Sequence, residues 1–68
     1  MTTTNHTADA DTFAAVLSSL RASRLPVAGL IKSWVGEDVS DDGKVSRVFV
    51  RSTGTVINGL ISWQETAV

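Results

Sequence analysis

Pro26 is the one proline in this chain of 68 residues, and it divides the sequence into two kinds of pattern. Ahead of it, Phe13, Val16, Leu17 and Leu20 fall at the i, i+3, i+4, i+7 spacing of one apolar helix stripe. Asp9 or Asp11 can cap the start of that helix and suits the positive end of its dipole. Pro26 disfavours helical geometry at Leu25, so the helix is expected to end near Ser23, with Arg21 and Arg24 in its last turn. Behind Pro26 the chain reads as strands and turns. Val27–Val35 fits a strand, or a second helix opened by the proline, and the downstream hairpin signal favours the strand. Residues 36–44, GEDVSDDGK, read as a polar loop with an Asp42-Gly43 hairpin signal. Residues 45–52, VSRVFVRS, are rich in β-branched side chains and predict a strand. Ser52-Thr53-Gly54 predicts a tight turn, and 55–64 a third strand bent at Gly59.

Residues 1–8, MTTTNHTA, lack periodicity and are read as a disordered tail, with His6 solvated in it. Residues 9–68 then form a single small domain. The expected fold class is α+β: an N-terminal helix followed by a three-stranded antiparallel meander. Val48 and Val50 point to one side of the second strand and Phe49 to the other; Ile57, Ile61 and Trp63 are set against Val56 and Leu60 on the third. A sheet apolar on both faces needs cover on both. One short helix covers one face, so copies of the chain are expected to complete each other as a homo-oligomer.

Composition narrows the function. There is no cysteine, which removes disulfides and thiolate metal sites. No apolar run is long enough to span a membrane and no signal peptide is evident, so the expected location is cytoplasmic. The only histidine lies in the tail, and no serine or carboxylate has an evident base partner, so no enzyme is expected. Glu37, Asp38, Asp41 and Asp42 lack the alternation of a calcium loop and read as a solvated turn. Neither metal nor cofactor is expected.

The net charge of −1 argues against a globally basic binder, but charge is unevenly spread. Residues 43–64 contain Lys44, Arg47 and Arg51 and no acid. Phe49 sits between the two arginines at period two, so cation, aromatic and cation share one strand face. That pattern suits stacking of a base with phosphate contacts on either side. Trp34 and Trp63 are read as core. Arg21 and Arg24 at the helix end extend the basic set, although helix-dipole complement and solvated strand faces explain cations at these positions as well.

Two segments resemble the Sm-like RNA-binding family, its bacterial Hfq branch in particular. VLSSLRASRLPV at 16–27 is similar to the Hfq N-terminal helix and its step into the first strand. VFVRSTGTVINGLISWQET at 48–66 is similar to the first two Sm strands, with Gly59 where the bent second strand needs a glycine. Two departures stand out. Residues 28–47 separate the segments, and the second Sm motif with its Lys-His pair is not found. The resemblance implies a minimal, permuted, small Sm-like partial barrel completed by oligomerisation, in a ring. It implies RNA or single-stranded nucleic acid as partner, with Arg21 and Arg24 matching rim arginines and Gln64 meeting a base edge. The expected nucleic-acid-binding set is Arg21, Arg24, Lys44, Arg47, Phe49, Arg51 and Gln64. The second reading is a structural or protein-interaction module of the kind phages and mobile elements encode.

Overall fold

The computed structural model describes residues 2–26 and 29–68. Among them the chain forms β1 (Thr2–Ala8), α1 (Ala10–Ser19), β2 (Ser23–Arg24), β3 (Lys32–Val39), β4 (Val45–Ser52), β5 (Val56–Ile57) and β6 (Leu60–Ala67). All six strands belong to one antiparallel sheet ordered β1-β6-β4-β3-β2, with β5 also on β6. The expected α+β arrangement, with a three-stranded meander in a small Sm-like partial barrel, is therefore wrong. The protein is mostly sheet, with one short helix.

The segment read as a tail is the largest departure. Thr2–Ala8 pairs along the whole of β6, from Thr2 opposite Ala67 to Ala8 opposite Ile61. An edge strand with one face in water needs little apolar periodicity, and β-branched threonine suits a pleated surface. His6 is not solvated in a tail. Its ring stacks on Trp63 at 5.4 Å and 16°.

Asp9 caps α1, as one of the two expected acids, and accepts from the Thr12 N–H at 2.7 Å. The helix stops at Ser19, short of Ser23 and well before the proline. Arg21 adopts a left-handed φ of 50°, its N–H bonds the Ser18 carbonyl, and the Ala22 N–H reaches back to Leu17. This is a Schellman motif, and it ends the helix by satisfying the last carbonyls.

The strand expected at Val27–Val35 is displaced. Residues 27 and 28 lie outside the described residues, and β3 runs from Lys32 to Val39. Gly36, read as the start of a loop, is buried in the middle of that strand. Only a glycine lets β3 approach the helix end there: a Cβ would lie 2.5 Å from the Leu20 carbonyl oxygen. That oxygen accepts from the Glu37 N–H at 2.8 Å. The turn from Ser40 to Lys44 then joins β3 to β4, with Gly43 at φ 83° and the Asp42 carboxylate bonded by Ser40 Oγ and the Lys44 N–H.

The third expected strand is divided. Asn58 and Gly59, at φ 54° and 78°, form the hairpin turn between β5 and β6. The positive φ pair is the signature of a type I′ turn. Residues 53–55 do not reverse the chain but bulge from the sheet, since β4 and β5 both run antiparallel to β6. Ser52 Oγ holds the bulge by donating to the Ser62 carbonyl and accepting from the Gly54 N–H.

The two faces of the sheet differ: one carries the core, and the other mixes polar side chains with Val35, Val39, Val45, Phe49, Ile57 and Leu60. Paired residues share a face, so the register sets Val48, Val50, Ile61, Trp63 and Trp34 on the side covered by α1. Phe13 and Leu20 complete that core, and Val50 at its centre is fully buried. The Phe13 ring meets Trp63 at 4.9 Å and Trp34 edge-on at 5.4 Å. Val56, expected to oppose Ile61, is its cross-strand partner. The helix-side core is dry within one chain, whereas Val39, Val45, Ile57 and Leu60 on the other face stay exposed, so the single helix shelters only part of the apolar surface. Among the described residues no helix is long and apolar enough to cross a membrane.

Candidate nucleic-acid interface

The face of the sheet away from α1 is built by the alternate residues of four strands. Direct register across β1, β6, β4 and β3 aligns Asn5, Gln64, Arg51 and Ser33 in one row. A second row holds Thr3, Thr66, Phe49 and Val35, and a third begins with Arg47 opposite Glu37. Hydroxyl pairs stitch the edge of this face: Thr3 to Thr66 at 3.1 Å and Thr7 to Ser62 at 3.2 Å.

Two open depressions mark the face. One, of about 420 Å³, is lined by Asn5, Thr7, Arg51, Ser62 and Gln64 with Ile31 at its side. The other, of about 550 Å³, is lined by Arg21, Ser23, Val35, Glu37, Arg47 and Phe49. Phe49 is half-buried between the arginines of its own strand, offering part of its ring to solvent. Arg47 and Arg51, four residues apart on β4, are about 14 Å apart along the strand.

The guanidinium groups here are not neutralised. Among the described residues one ion pair forms, His6 Nε2 to Glu65 Oε2 at 3.2 Å, and it lies on the helix side. Arg21, Arg47 and Arg51 have no carboxylate within 4.0 Å among the described residues. Glu37, directly across from Arg47 in the register, is the one acid on this face. Asp41 and Asp42 lie at the β3–β4 turn, and Asp9 and Asp11 at the start of α1. Of the six cations, Arg47 and Arg51 lie on this face and Arg21 beside it, while Arg24 and Lys32 fall on the helix side and Lys44 in the turn.

The residues expected to bind nucleic acid therefore separate. Arg47, Phe49, Arg51 and Gln64 come together on the open face, and Arg21 borders its second depression. Arg24 does not join them, because it pairs with Trp34 and shares the helix side. Lys44 lies in the β3–β4 turn, outside both depressions. Trp34 and Trp63 are spent on the core. Asn5, Thr7 and Ser62 were not anticipated; the signal was the period-two Thr3, Asn5, Thr7 in the presumed tail.

On the opposite side, Glu65 ties Trp63 to β1. Trp63 Nε1 donates to Glu65 Oε1 at 3.2 Å, while the His6 ring lies over the indole. Hydrogen bonds to the charged form hold two other carboxyls below their ordinary value. Asp9 is lowered by the Thr12 side chain and N–H, Asp42 by the Ser40 hydroxyl and the Lys44 N–H. Among the described residues no three His, Asp or Glu side chains gather as metal ligands.

Comparison with known proteins gives no match: no protein family, curated protein or solved structure is significantly similar to this chain.

Proposed function

We propose that the open face of the sheet binds single-stranded nucleic acid, RNA in particular, and catalyses nothing. The observation that carries this reading is that Arg47 and Arg51, without ion-pair partners among the described residues, flank a part-exposed Phe49 on the uncovered face of the sheet. Phe49 stacks one base, an interaction worth about 1–3 kcal/mol and tolerant of sequence. Arg47 and Arg51 take phosphates on either side, and Arg21 takes a third at the rim. The Gln64 and Asn5 amides, side by side across β6 and β1, offer donors and acceptors to a base edge.

Fluorescence anisotropy with labelled oligo-U tests the reading. Binding is expected at about 50 mM salt and to weaken with a log–log slope of about −2, the value for three phosphates on a single strand. Phe49→Ala should lower affinity by about fivefold to a hundredfold. Arg47→Ala with Arg51→Ala should abolish binding, whereas Arg24→Ala, on the helix side, should leave it unchanged. No anisotropy rise at low salt refutes the proposal. Equal losses from Arg24→Ala and Arg51→Ala reduce it to unspecific charge attraction.

A further inference from the structure

We propose that β1 is an interface for a second copy of this chain, with the two β1 strands pairing antiparallel and Asn5 facing Asn5 across a two-fold axis. The inference is independent of any nucleic-acid ligand. It starts from the contrast between the two edges of the sheet. Natural edge strands avoid accidental pairing by being short, by carrying charge or proline, or by bulging away. The β2 edge has these devices: β2 is two residues long, and the β3 stretch that it leaves uncovered carries Glu37 and Asp38. β1 has none of them. It is seven residues of regular strand, TTTNHTA, with no proline, no lysine and no acid. Its inner side is paired with β6 over its whole length, without a bulge, so its outer groups form an unbroken template.

Chemistry selects a second copy as the occupant. Two β1 strands centred on Asn5 set no formal charge against a like charge, whereas two β3 edges would bring Glu37 and Asp38 together. Thr3 of one copy would face Thr7 of the other. That repeats the hydroxyl-to-hydroxyl contacts which Thr3 and Thr7 already make on this face with Thr66 and Ser62. The helix packs over β3 and β6, inward of the β1 edge in the strand order. Antiparallel pairing about an axis normal to the sheet also keeps equivalent faces on one side. The two open faces would join, with their Phe49 residues five strand spacings across and four residues along from each other, about 28 Å apart.

Sedimentation velocity on nuclease-treated protein, from micromolar to millimolar concentration, tests the interface. The wild type is expected to move from monomer to dimer. Asn5→Lys and Asn5→Glu, each alone, should raise the midpoint several-fold through like charges at the axis. An equal mixture of the two should restore dimerisation. A wild type that stays monomeric at millimolar concentration overturns the proposal, and so does a dimer that both variants leave unaltered. Should the variants not fold, hydrogen exchange of the wild type decides. Protection of β1 amides that rises with protein concentration supports the interface, and protection independent of concentration refutes it.

Discussion

Gly36→Ala is the substitution that most directly probes how the helix end is held against the sheet. A strand glycine exchanged for alanine ordinarily gains about 0.5–1 kcal/mol, because the unfolded chain loses freedom. Here the sign should reverse. The added Cβ would lie 2.5 Å from the Leu20 carbonyl oxygen and 2.9 Å from Leu20 Cβ, and Ala22 Cα stands at 3.2 Å. The first obstacle is backbone fixed by the helix cap, so β3 must move. Overpacking of this kind costs about 1–3 kcal/mol. The same movement strains the 2.8 Å bond from the Glu37 N–H to that carbonyl, a contact worth about 0.5–1.5 kcal/mol. After the usual gain is subtracted, roughly 1–3 kcal/mol of destabilisation remains. For a domain of this size that corresponds to a fall in Tm of roughly 5–20 °C. Thermal unfolding followed by circular dichroism measures it. A variant melting at or above the wild type would show that the helix end does not press on Gly36 as described. The site would feel the same change, since Leu20 precedes Arg21 and Gly36 precedes Glu37 on the rim of the second depression.

Three further outcomes are expected. Arg21→Gly removes a non-glycine residue from φ 50° and should raise Tm by a few degrees, while lowering oligo-U affinity and flattening the salt slope by about 0.7; a lower Tm would refute the claim of strain. Phe13→Ala deletes the ring that meets both tryptophans. At about 3–5 kcal/mol against a total of about 3–10 kcal/mol for such a chain, it should erase most near-ultraviolet dichroism, and an intact signal with an unchanged Tm would contradict the core assignment. The capping carboxyl of Asp9 is held below its ordinary value of 3.8, so its contribution is present above that pH and is lost as pH falls through the lowered value. Asp9→Asn keeps a capping side chain without the charge, so any Tm difference from wild type should shrink in acid, and one independent of pH would tell against the cap.

Legibility in the sequence followed the strength of local signals. The Asp9 cap, the Phe13–Leu20 stripe, the strand over Val45–Ser52 and the Asp42-Gly43 turn are each specified within a few residues, and each appears in the fold. β1 was illegible because its partner lies almost the whole chain away, and because a threonine tract looks the same in water and on a sheet edge. Asn58-Gly59 carries a strong turn signal, but inside a long apolar run its glycine fits a bent strand equally well, and only the β5–β6 pairing separates the two. Gly36 looked like loop punctuation, because its reason is the distant Leu20 carbonyl. For the candidate site, period two alone put Arg47, Phe49 and Arg51 together. Gln64 joined them only through the β4–β6 register, and Arg24 left them through the pairing of β2 with Trp34.

An inner strand of the sheet, β6, is also the last of the strands in sequence. β6 lies between β1 and β4, yet its residues follow all the others in sequence. A growing chain that has reached Gly59 holds the β3–β4 hairpin on one side and an unattached β1 on the other. Zipping them together waits for Leu60–Ala67 to emerge, and β1 must then find a partner over the longest separation in the fold. Such distant pairing is slow to form, so assembly of the platform should be a late, all-or-none event governed by the final eight residues of sheet.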